Sequence, residues 1–403
     1  MSQEPALQPM TIHQRVLSTL RRERPDRLPF VGRLDVWLAC HHRSGSLPQE
    51  FRDVPVETIH RAIGMGRQRF ITPFTWRLRG VEVVVEFNGQ IVRREQDPLM
   101  DLFCGSHSDV RNDVAGETVT TFKTPRGVLR MRHEQAQMSV ESGTEPYLKE
   151  HLIKNQSDYA AVAYLWERAE YLPLYADYER AQAEVGDVGF VIPLVPRVPF
   201  QQMLLEYLGE VPLFYALQDS PGDVARLIQL LDEQLVAILE HMVDLPAPYV
   251  EFPDNLHGLM TNPALFREHC LPHYQRYCDI LHAQGKKVGS HTDGDVKRLL
   301  PLLKASGLDV CESFSPSPLT TCTFDEAWGA WQGGPIIWGG IPSPLLEERT
   351  SEGDFHAYLD HLLDVVAAGP IVLSVVDMVM GHNSLQRMRY IAERIEAHAL
   401  PAA

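Results

Sequence analysis

Lys286-Lys287-Val288-Gly289-Ser290-His291-Thr292-Asp293-Gly294-Asp295 is the stretch on which the fold turns. It starts as a short apolar strand and ends in polar groups at a turn, where a helix is expected from Val296. In an extended chain, residues two apart leave on the same face, so His291 and Asp293 project together. In parallel α/β proteins that carboxyl edge of the strands is where ligands bind. The plain alternative is a turn and helix cap, with Asp293 or Asp295 accepting backbone N–H groups.

Working outward, strands are expected at Gly189–Pro193, Tyr249–Phe252, Lys287–His291, Val310–Phe314, Ile336–Gly339 and Ile371–Val375. Helices alternate with them: 158–171, 175–185, 200–208, 221–243, 263–284, 296–304, 325–331, 354–367 and 384–398. Strand, helix, strand at this spacing makes right-handed parallel units. Nearer the start, Thr11 can cap a helix over 10–22. An extended run follows through Trp37, then a helix at 55–66 and a second extended run at 69–74. With these there are about eight parallel strands, the count of a (β/α)8 TIM barrel. Val81–Arg93 and Thr118–Arg132 alternate β-branched and polar residues, with a turn at Thr124-Pro125-Arg126-Gly127. They predict an antiparallel β-hairpin insertion at about 79–133. One domain over residues 1–403 is expected.

The chain has 403 residues and a formal net charge of -16, which argues against a nucleic-acid partner. Six cysteines, with no CxxC pair, read as reduced thiols. With neither a signal peptide nor a membrane span visible, a cytoplasmic protein is expected. His41 and His42 are expected in a surface loop, and Trp328, Trp331 and Trp338 in the core or at the barrel rim.

Polar residues gather where the strands should end. Glu251, Asp254, Asn255 and His257 follow one strand, His291 and Asp293 the next, Glu312 the third, and Asp377 and His382 the last. Imidazole and carboxylates from neighbouring strands can form a mononuclear metal site with an open position for substrate. Asp254-Asn255-Leu256-His257 suits substrate recognition or proton transfer, although such a loop can equally stabilise its own turn. A buried strand rarely ends in a carboxylate for packing, which favours a functional Asp377.

The order of elements resembles the uroporphyrinogen decarboxylase superfamily. The resemblance rests on Glu23–Pro29, Thr124–Gly127, Glu206–Gly209, Asp254–Tyr274, Ala283–Asp293, Leu299–Val310 and Trp338-Gly339-Gly340-Ile341. It implies a (β/α)8 barrel and an activity of either the decarboxylase or the cobalamin-linked methyltransferase branch. The decarboxylases' arginine-rich N-terminal segment is missing, since the corresponding stretch reads Arg33-Leu34-Asp35-Val36-Trp37-Leu38. The methyltransferases' zinc motif is His-x-Cys with a later Cys. His291 matches its histidine, while Asp293 and Asp377 stand where the cysteines would be. The resemblance thus implies a divalent metal, zinc by family, on His291, Asp293, Asp377 and Glu251. From their place at the strand ends, Asp254, His257 and Glu312 are expected as catalytic groups and Asn255, Arg33 and His382 as substrate contacts. The expected activity is metal-assisted transfer of a methyl group from a small methoxylated molecule to a corrinoid on a partner protein. A decarboxylase-type lyase and a non-catalytic ligand-binding barrel are the alternatives, and a homodimer is one expected assembly.

Overall fold

The structure, a computed structural model, describes residues 9–100, 112–366 and 369–398. Eight parallel strands follow the expected rhythm: β1 (Val31–Gly32), β2 (Gly66–Ile71), β3 (Gly189–Pro193), β4 (Tyr249–Phe252), β5 (Lys287–His291), β6 (Val310–Phe314), β7 (Ile336–Ile341) and β8 (Ile371–Val375). The mixed α/β fold holds them in two sheets, ordered β1-β2-β3 and β4-β5-β6-β7-β8. The sheets meet at two seams through isolated parallel bridges, Phe30 to Leu373 and Leu194 to Glu251. At the seams the Leu373 N–H donates to the Pro29 carbonyl at 2.9 Å, and the Val195 N–H to the Glu251 carbonyl at 3.0 Å. Pro29, Pro193 and Pro253 bring no N–H to the strands that meet there, which keeps the ladders short.

Most of these strands are buried throughout, as strands covered on both faces must be. An inner apolar cluster draws Val31, Phe190 and Ile192 from one sheet and Tyr249, Val310, Ile336, Trp338 and Val372 from the other. Val16 and Leu20 of the first helix, Ile12–Leu20, pack into the same cluster. That helix is capped as expected: the Thr11 hydroxyl accepts from the Gln14 N–H while the Gln14 side chain reaches back. The helices form the outer layer, so the polar ends of β4 to β8 are held on a rigid frame.

Several local expectations change. Trp37 lies in a helix, Asp35–Ser44, and not in an extended run. Gly45 ends that helix at φ +69°, and Trp37 is buried against Phe51. His41 and His42 therefore form its last turn rather than a loop. The helix expected over 158–171 stops at Glu167, and Ala169–Pro173 is a strand paired antiparallel with Phe74–Leu78. Helix Glu210–Asp219 was not expected. The stretch 263–284 is two helices, Pro263–His269 and Leu271–Ala283, divided at Cys270.

The insertion is larger than a hairpin. Glu82–Phe87, Gln90–Gln96, Gly116–Thr124, Gly127–Gln135 and Tyr147–Glu150 form a five-stranded antiparallel sheet. Phe74–Leu78, Leu99–Met100 and Ala169–Pro173 form a second sheet of three. Alternation exposed the hairpin arms, but these pairings over long sequence separation are decided by packing. Cys40, Cys270, Cys278, Cys311 and Cys322 are free thiols, while Cys104 lies outside the described residues. Among the described residues no helix is long and apolar enough to cross a membrane.

Candidate functional site

The strand register assembles the site. His291 of β5 pairs with Glu312 of β6, which pairs with Trp338 of β7. A bulge follows Glu312, and Ser313 adopts φ +58°. Asn255 at φ +47° and Asp377 at φ +58° are further non-glycine residues in the left-handed region at strand ends. The Asp377 N–H donates to the Ser313 hydroxyl at 2.7 Å, tying the ends of β8 and β6 together.

The two nitrogens of His291 face different chemistry. Nδ1 points inward, 2.5 Å from Glu312 Oε2 and 3.9 Å from Glu251 Oε1. Nε2 lies 3.7 Å from both Asp293 Oδ2 and Asp377 Oδ1. His291 is buried, whereas Asp293 and Asp377 keep 27% and 43% of their side chains exposed. The cluster is thus a buried carboxylate pair behind an imidazole with a half-open pair in front. These are two groups that could each hold a cation, Glu251–His291–Glu312 and His291–Asp293–Asp377.

The environment of each carboxyl differs. Burial, and next the Glu312 charge, push Glu251 well above the usual carboxylate range. Its Oε2 accepts from the Tyr249 hydroxyl at 2.8 Å, and its Oε1 is buried with no hydrogen-bond partner among the described residues. Burial alone would pull His291 down, but Glu312, Asp293 and Asp377 raise it well above the ordinary histidine range. Burial would raise Asp377, yet His291 and Arg33 hold it below its usual value.

Arg33 sits on Asp377: its Nε and NH2 groups donate to the Asp377 carbonyl at 2.8 and 2.6 Å, and NH2 also reaches Oδ1 at 2.5 Å. The guanidinium stacks 4.8 Å from the Phe70 ring, which meets the His291 ring edge-on at 6.4 Å. Asn255 donates to Asp293 Oδ2 at 3.1 Å and accepts from Arg197 at 2.8 Å, and Arg197 also pairs with the buried Glu206. The turn is capped elsewhere, because Asp295 accepts from Lys297 and Thr321, which leaves Asp293 to the cluster.

Of the residues singled out in the sequence, His291, Asp293, Asp377, Glu312, Glu251, Arg33 and Asn255 come together. Asp254 does not open to solvent. It is fully buried, accepting from the Val198 N–H at 2.9 Å, the Tyr274 hydroxyl and, at 3.5 Å, the Ser290 hydroxyl. His257 takes part in its own turn, its Nδ1 accepting from the Leu259 N–H at 3.2 Å. His382 is exposed and pairs with Glu347 at 3.2 Å. Gln68, Tyr249, Arg197 and Phe70 belong to the site's surroundings and were not singled out. Gln68 gave no local sign, because it lies between Arg67 and Arg69 in a strand rich in polar residues.

Burial raises Asp254 from the usual 3.8 to about 6, against the opposing pull of Tyr274, Arg197 and the Val198 amide. Between those values the native protein binds the proton and the unfolded chain releases it, so this group lowers stability as pH rises from about 4 to about 6. Relative to wild type, Asp254→Asn is expected to remove that loss, up to roughly 3 kcal/mol. Urea unfolding at pH 4 and pH 7 checks it, and equal slopes in both proteins would refute it.

With the geometry in place, similar proteins can be set beside it. No curated protein matches the chain. A methyltransferase from Methanosarcina mazei shares the fold, with TM-score 0.52 and 13% identity over 96% of this chain and 100% of that one. A structure described as a vitamin-B12 independent methionine synthase from Listeria monocytogenes is more distant, with TM-score 0.32 and 13% identity over 56% of this chain and 69% of that one. The superfamily resemblance read from the sequence holds over residues 212–319, which match the uroporphyrinogen decarboxylase (URO-D) family and contain Glu251, Asp254, Asn255, His291, Asp293 and Glu312.

Proposed function

We propose that the eight strands close into one (β/α)8 barrel and that its His291 edge serves a metal-assisted methyltransferase. The substrate class is a small methoxylated molecule, and the methyl acceptor a corrinoid carried by a partner protein. The observation that carries this reading is His291 Nε2 facing Asp293 and Asp377 at 3.7 Å while Nδ1 is anchored on Glu312. Ligand atoms about 2.0–2.2 Å from a tetrahedral zinc stand roughly 3.3–3.6 Å apart, so these three donors fit with a small inward adjustment. Glu312 takes the part of the outer carboxylate that fixes a ligating histidine.

Carboxylates in place of thiolates make the donor set hard, suited to a metal that polarises an ether or phenol oxygen as a Lewis acid. The chain's own residues do the rest. Asn255 holds Asp293, Arg33 and the Ser313 hydroxyl hold Asp377, and Phe70 shields the imidazole on one side. Asp254 braces the loop that carries Asn255, and the neutral Glu251 limits the negative charge behind His291. Metal analysis of the purified protein should give about one divalent ion per chain. Substrate demethylation should require a reduced corrinoid protein. Wild-type protein with far less than one metal per chain would sink the metal-assisted version.

One observation favours the lyase as second reading. Arg33 already places a cation on the Asp377 oxygen that faces His291. Without a metal, Arg33 and a protonated His291 would hold an acidic substrate for decarboxylation. That version expects turnover insensitive to chelators and independent of any corrinoid.

A further inference from the structure

We propose that Trp338 and Gln68 are positioning residues that hold the Glu312 carboxylate where it takes the Nδ1 proton of His291, so that Nε2 presents its lone pair to Asp293 and Asp377. An indole N–H can only donate. Trp338 Nε1 lies 3.1 Å from Gln68 Oε1, so the amide oxygen is committed and the amide NH2 must face the other way. There it donates to Glu312 Oε1 at 2.7 Å. Glu312 Oε2 then accepts from His291 Nδ1–H, at 2.5 Å. Each link has one direction: the donor-only indole fixes the Gln68 amide, and the acceptor-only carboxylate of Glu312 fixes the proton on Nδ1.

The links run through buried side chains, away from bulk solvent: Gln68 and Glu312 are 2% exposed and Trp338 is fully buried. Register alone lines up Trp338, Glu312 and His291 on adjacent strands. Gln68 arrives from β2, in the other sheet, and bridges the Trp338 and Glu312 side chains. Its consequence for metal affinity rests on the metal reading above; its consequence for the tautomer does not.

Glu312→Gln makes the test sharp, because it keeps shape and removes the acceptor-only character of residue 312. If Trp338 locks Gln68, the new amide must turn its oxygen toward the Gln68 NH2 and its own NH2 toward Nδ1. His291 then switches to the Nε2–H tautomer. Adding Trp338→Phe frees Gln68 to flip, and the double variant is expected to recover Nδ1–H. The readout is ring nitrogen chemical shifts of 15N-histidine-labelled, metal-free protein at a pH where the ring is neutral, assigned by the signals lost in a His291 variant. Zinc affinity, by competition with a chromophoric chelator, should fall by about 10- to 100-fold in Glu312→Gln and partly return in the double variant. A folded Glu312→Gln protein that keeps Nδ1–H overturns the proposal, as does a double variant with the same tautomer as the single one. Should wild type take up no zinc and yet show the switch, the metal reading falls and the positioning role stands.

Discussion

His291→Ala is expected to lose the divalent metal altogether and to be less stable than wild type by roughly 3–5 kcal/mol. The first effect follows from position. Nε2 is the only nitrogen donor in the group with Asp293 and Asp377, and two half-exposed carboxylates alone make a weak, solvated cation site. The second follows from burial. Glu312 is 2% exposed and Glu251 fully buried, so removing the imidazole leaves a carboxylate charge without its cationic partner. Elemental analysis and urea unfolding measure the two separately. A variant that retains one metal per chain would show that His291 Nε2 is not a ligand, whatever happens to stability.

Asp254→Ala should cost about as much stability, roughly 3–5 kcal/mol, for a different reason. Its carboxylate accepts from Val198, Tyr274 and Ser290 inside the protein, and alanine would leave those donors facing a cavity. Each buried donor left unmade costs about 1–3 kcal/mol. Asp254→Asn keeps an acceptor and should cost much less, so the pair separates hydrogen bonding from charge. Measured loss below about 1 kcal/mol for the alanine variant would mean that water or a neighbouring group replaces the carboxylate.

The role of Asp254 also shows how far strand-end position can be trusted. Asp254 and His291 both follow buried strands, and from the sequence both read as site residues. What separates them is the direction of one turn. Asp254 folds back under the Val198 amide and the Tyr274 hydroxyl, while Asn255, at φ +47°, points its amide toward Asp293. His382 and Glu312 differ in the same way, the first paired with Glu347 in solvent and the second locked between Gln68 and His291. Spacing along the chain carries no information about these directions.

What the sequence determined by itself is whatever depends on neighbours a few residues apart. Lys286–Asp295 contains a strand, its end and the His-x-Asp pair on one face, because strand alternation is a local property. The later strands, the Thr11 cap and the hairpin arms were legible for the same reason. Tertiary structure decided the rest. It put Trp37 in a helix, since burial against Phe51 outweighs a weak local preference. It paired Ala169–Pro173 with Phe74–Leu78 across some ninety residues. It divided the cluster into two sides of one imidazole, with Glu251 and Glu312 behind and Asp293 and Asp377 in front. And it brought Gln68 from the other sheet to Glu312, a contact 244 residues long that no pattern within a strand can encode.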